Sequence, residues 1–82
     1  MKAIDPKTFI QQWADNIDGL EPQMLQLDTC YKNLPIWDSL VLLLTVAMVE
    51  SDYGVTLRGV DFEKAETVAG LLELIRQRMP ST

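Results

Sequence analysis

Asp38 and Ser39 are the two residues whose types and setting could do chemistry; they stand in LPIWDSLVLLLTVAMVESDYG, residues 34–54. A serine hydroxyl can act as a nucleophile, a structural hydrogen-bond partner or a point of covalent attachment. The first role needs a base, and the chain contains no histidine. That removes Ser-His and Cys-His nucleophile pairs and any His-ligated zinc site. Cys30 is the only cysteine, so no internal disulfide can form and no second thiol is available to share a metal. It is read as a free, inert thiol. None of the four glycines builds a phosphate-binding loop. The chain is therefore poorly equipped as an enzyme, and two readings of Ser39 remain. It is a bystander in the first turn of a helix capped by Asp38, or it is the residue the domain displays. The second reading has a physical basis, because a helix start carries unpaired N–H groups and partial positive charge, a favourable setting for a phosphodiester.

The elements that must position this pair can be read from pattern. Eighty-two residues with 48% apolar and 23% charged composition make one small globular domain, residues 1–82. A net charge of −5 disfavours nucleic acid and anionic lipid and suits partners with basic patches. The opening MKAIDPKTFIQQW lacks an uncharged apolar core of the signal-peptide kind, and residues 40–49 are too few to span a bilayer. A soluble, cytoplasmic protein is expected.

Asp5-Pro6 reads as an N-cap followed by proline at the first helical position, with Phe9, Ile10, Trp13 and Ile17 on one face and Asp18-Gly19 as the stop. Residues 18–37 form a long connection, with a helical turn expected after Glu21-Pro22 and Leu20, Met24, Leu25, Leu27 and Leu34 available to pin it to the core. The second helix is expected from Asp38-Ser39 to about Tyr53, ended by Gly54. Leu42, Val46, Val49 and Tyr53 form a continuous stripe assigned to the core, so that Val46→Asp would unfold the domain, and Val41→Asp would be tolerated if its side is exposed. Leu40, Val41, Leu44, Ala47 and Met48 fall on roughly the opposite side. Either that side is an exposed interaction surface, or the first helix or the long loop covers it. GVTLRG reads as an extended link and VDFEKA as a short helical turn with Phe62 inward. Thr67 then caps a last helix with Val68, Leu71, Leu72 and Ile75 on one face, Arg76 and Arg78 in its last turn and Pro80 beyond. The fold class is all-α: a small four-helix bundle, three main helices plus a short third, with a long loop between helices one and two.

WDSL at residues 37–40 resembles the attachment motif of the acyl carrier protein family, Asp-Ser-Leu opening the second helix. ESDYGVTLRGVDFEKAETVAGLLELI matches the same family in layout, and the resemblance covers residues 34–76, with the first helix and long loop agreeing in length. It implies that a separate phosphopantetheinyl transferase esterifies Ser39 with 4'-phosphopantetheine, that Asp38 aids the modification, and that the protein presents thioester-bound acyl groups to acyl-loading and acyl-processing enzymes. Ile36 stands where many carriers have glycine, and Trp-Asp-Ser-Leu looks like stand-alone bacterial carriers of specialised lipid or polyketide-like pathways. Where the family keeps acidic residues on the exposed face of helix two, Val41 and Leu44 stand here, and only Glu50 and Asp52 retain charge. Leu40, Val41, Leu44 and Met48 are accordingly expected to form an apolar docking face. The expected state is a monomer, with a homodimer through helix two as the alternative. A peptidyl or aminoacyl carrier, or a helical adaptor without a prosthetic group, are the competing functions.

Overall fold

The computed structural model describes residues 4–79. Four α-helices follow in order: α1 Pro6–Asn16, α2 Ser39–Tyr53, α3 Gly59–Ala65 and α4 Val68–Arg78. Two 3₁₀ turns, Pro22–Met24 and Tyr31–Asn33, lie in the connection between α1 and α2. Among the described residues there are no strands, and the protein is a small helical bundle. No helix among them is long and apolar enough to cross a membrane. Pro80, expected to end the last helix, lies outside the described residues.

Each main helix starts on a side chain that satisfies an otherwise orphaned N–H group. Asp5 accepts from Thr8 N at 3.0 Å, with Pro6 in the first turn. Asp38 accepts from Val41 N at 2.9 Å, and Thr67 from Gly70 N at 3.1 Å. The endings are equally local. Gly54, at φ 69° and ψ 24°, closes α2 in the left-handed conformation that glycine adopts without steric cost.

The long connection is held by backbone as well as side chains. Val68 N donates to Thr29 O at 3.0 Å and Ala69 N to Leu27 O at 2.8 Å. The free donors of the first turn of α4 thus dock the middle of the loop, while Leu20, Leu25 and Tyr31 bury their side chains in the core. Gly19, at φ 89°, brings the chain past Ile36; a Cβ there would lie 2.9 Å from Ile36 Cδ1.

The junction of α3 and α4 is tighter still. Glu66 has φ 58° and ψ −45°, and Thr67 N donates to Ala65 O at 2.5 Å, a three-residue γ-turn of the rare positive-φ kind. Gly70 is what lets α4 pass so close, because a Cβ on it would sit 2.1 Å from Ala65 O. Asp61, buried in α3, then takes a two-pronged contact from Arg78 at the far end of α4, 2.8 Å and 2.9 Å. The same carboxylate accepts from Arg58 N at 2.8 Å, closing the start of α3. Hydrogen bonding to the guanidinium holds the Asp61 carboxyl below the ordinary carboxylate range.

Candidate functional site

Ser39 is the first residue of α2 and is exposed, as are Asp38 before it and Leu40 after it. The carbonyl and carboxylate of Asp38 take the N–H groups of Leu42 (3.0 Å) and Val41 (2.9 Å). The N–H groups of Ser39 and Leu40, the outermost of the helix, have no partner among the described residues, and neither does Ser39 Oγ. An accessible hydroxyl therefore stands beside two open donors at the positive end of a 15-residue helix. Asp38 fixes that geometry as the cap, the role read from the sequence.

Trp37, just before this exposed turn, leads into an aromatic interior. All six aromatic residues of the chain join in one connected cluster. Trp37, half-buried and two residues before Ser39, lies 5.1 Å from the ring of Tyr31 and 5.9 Å from that of Phe62, centroid to centroid. It meets Trp13 edge-on at 6.2 Å. Phe9 joins Trp13 to Tyr53 at the other end of α2. Such tilted and edge-on pairs are the favoured arrangements of aromatic rings.

Each buried polar tip in the cluster is satisfied. Trp13 Nε1–H donates to Thr45 Oγ1 at 2.8 Å, and Thr45 Oγ1 donates back to Val41 O at 2.8 Å. Tyr31 Oη–H donates to the carbonyl of Phe62 at 2.5 Å. Burial pushes the Tyr31 hydroxyl well above the ordinary phenol range, with the negative charges of its neighbourhood adding to the effect. Thr45, the one polar interruption of the run 40–49, is thus a core residue that holds the tryptophan of α1. Sequence reasoning missed this partnership. The available signal was a buried-pattern tryptophan whose indole donor needs an acceptor.

No family model, curated protein or solved structure matches this chain. The site stands on its own geometry.

The face of α2 expected to dock partners is only partly outward. Leu40 (63% exposed) and Leu44 (39%) are on the surface as expected, but Val41 and Met48 are both 4% exposed and belong to the core. Leu43, 62% exposed, joins the outer strip instead, with Ala47 beyond it. The inner face is Val41, Thr45, Met48 and Val49, flanked by half-buried Leu42, Val46 and Tyr53. Thr45 points inward, where its hydroxyl accepts the indole N–H of Trp13 in the core. Val41 and Met48, one turn to either side of Thr45, follow it. Glu50 and Asp52 are exposed near the end of the helix. Cys30 is half-buried and free. Two shallow surface grooves both run along α4: one is bounded by Lys64, Ala65, Gly70 and Leu74, the other by Ile4, Pro6, Leu27 and Leu72. No residue of α2 lines either of them.

Proposed function

We propose that this protein is an acyl carrier in which a separate phosphopantetheinyl transferase moves 4'-phosphopantetheine from coenzyme A to Ser39: the serine oxygen forms the new bond to phosphorus, the pyrophosphate bond of coenzyme A breaks, and adenosine 3',5'-bisphosphate leaves. The observation that carries this reading is the exposed, unpartnered Ser39 hydroxyl at the start of α2, in the Trp-Asp-Ser-Leu setting that resembles carrier attachment motifs. The residues present fit the group. Ser39 supplies the ester oxygen, the open N–H groups of Ser39 and Leu40 suit a phosphodiester, and the Asp38 carboxylate keeps the turn wound. When bound, the group supplies a terminal thiol that holds an acyl unit as a thioester. The chain's own part is to present that arm to acyl-loading and acyl-processing enzymes, and it performs no reaction itself.

Leu40, Leu43 and Leu44 extend from Ser39 along the outer side of α2 and form the face on which partners dock. Because the strip is apolar, association depends on burial more than on charge and weakens little with salt. Three leucines expose a few hundred Å² at most, well short of the roughly 800 Å² per partner of a stable interface, so the strip suits transient partners better than a permanent homodimer.

Intact mass after co-expression with a promiscuous phosphopantetheinyl transferase tests the reading. One added phosphopantetheine is expected, and Ser39→Ala abolishes it. An unmodified chain with several transferases would instead favour an adaptor that binds partners through the leucine strip alone. A modified chain loaded by an amino-acid-activating enzyme, and by no acyl-activating one, would make the cargo aminoacyl or peptidyl.

A further inference from the structure

We propose that the bundle does not take its cargo inside, so that the acyl group on Ser39 remains in solvent and belongs to the class of short or polar acyl units. This rests on the carrier reading above and adds what the carrier holds. Two observations support it.

The first is the packing of the residues that flank Ser39 in sequence. Val41, two residues after it, is buried, and half-buried Trp37, two residues before it, packs against the buried rings of Trp13, Tyr31 and Phe62. A hydrocarbon chain entering this region exchanges apolar contact for apolar contact and gains little further burial. It must also displace side chains already at close packing. Pushing the rings apart would break the bonds of Trp13 to Thr45 and of Tyr31 to the Phe62 carbonyl, leaving buried donors unpaired.

The second is the anchoring of α3, which supplies Phe62 to this region. Three separate ties hold it from two sides. Tyr31 Oη bonds the Phe62 carbonyl, Lys32 pairs with Glu63, and Arg78 holds Asp61 in two-pronged fashion. The γ-turn at Glu66, pressed against Gly70, fixes the end of the helix as well. An element tied to the loop on one side and to the end of α4 on the other is a poor gate. Long alkyl chains gain from being covered, whereas short or polar acyl units lose nothing by exposure.

The test loads Ser39 from acetyl-, butyryl-, octanoyl- and dodecanoyl-coenzyme A with a promiscuous transferase and follows two signals. The first is the rate of thioester cleavage by hydroxylamine; the second is the NMR resonance of the Trp13 indole N–H. Cleavage rates that agree within about twofold across the series are expected, since sheltering would slow the reaction in proportion to the population kept closed. The Trp13 resonance is expected to be the same for acetyl and dodecanoyl forms. Cleavage about tenfold slower for the dodecanoyl form, or a Trp13 shift that grows with chain length, would overturn the inference while leaving the carrier reading intact. Failure of every acyl-phosphopantetheine to add to Ser39, seen by mass, would overturn both.

Discussion

Thr45→Val probes the buried bond between α2 and Trp13. The substitution keeps the branched shape and removes the hydroxyl that accepts Trp13 Nε1–H at 2.8 Å inside the core. The indole donor is then buried without a partner, which costs about 1–3 kcal/mol. The carbonyl of Val41 loses the second bond it receives from Thr45 Oγ1, a smaller loss for an oxygen with two lone pairs. The added methyl returns about 0.8 kcal/mol by burial. A net destabilisation of about 1–2 kcal/mol follows, or roughly 5–15 °C in Tm for a domain of this size. Thermal and urea melts followed by circular dichroism measure it. The decisive arm is the double-mutant cycle with Trp13→Phe, which removes the donor. In that background Thr45→Val leaves nothing unpaired and should cost close to nothing, a coupling of about 1–2 kcal/mol. A Thr45→Val protein that melts at or above wild type, or an equal cost in both backgrounds, would refute the argument that this bond stabilises the core.

Val41→Asp buries an unpaired carboxylate in a side chain that is 4% exposed and should unfold the domain, since the cost of several kcal/mol rivals its whole stability. Leu43→Asp, on the outer strip, should change stability by no more than about 0.5 kcal/mol; the two melts side by side check which face is inside. The Asp61–Arg78 contact makes stability depend on acid. A carboxyl held below its unfolded-state pKa contributes stability that is fully present above the ordinary carboxylate range and is lost as pH falls through the lowered, folded-state pKa. Asp61→Asn should therefore lower Tm at neutral pH and flatten the Tm–pH curve on its acid side. An acid limb unchanged in the variant would show that other carboxylates set it.

Much of the fold was legible because helix ends are local chemistry. Asp5-Pro6, Asp38, Gly54 and Thr67 mark their boundaries by side chains or backbone freedom that act within three residues, and each does so in the structure. The buried face of α4, Val68, Leu71, Leu72 and Ile75, was equally readable because polar residues fill the other side. α2 defeated the same method, since apolar residues surround it and periodicity then selects no direction. Its inward side carries Thr45, which meets Trp13 across 32 positions of sequence. Leu42 and Val46, expected in the core, are half-buried at its edge, and Val41 is buried, so the exposure on which tolerance of Val41→Asp depends is absent. The long loop hid its anchors for another reason. Leu27 and Thr29 hold α4 through main-chain carbonyls, which every residue type possesses. The cap role of Asp38 and the place of Ser39 at the start of α2 were legible, whereas the aromatic packing around Trp37 required knowing that the loop brings Tyr31 against it.

The linked aromatic rings also give the molecule an optical character. Tyr31 lies 5.8 Å from the ring of Trp13 and 5.1 Å from that of Trp37, close enough to hand absorbed light directly to either tryptophan. Both tryptophans lie in this one cluster, and Trp37 is two residues from Ser39. Emission from the protein is therefore a signal from the ground on which Ser39 stands. A group attached to that serine, or a partner seated on the leucines beside it, can be watched through the protein's own colour with no label added.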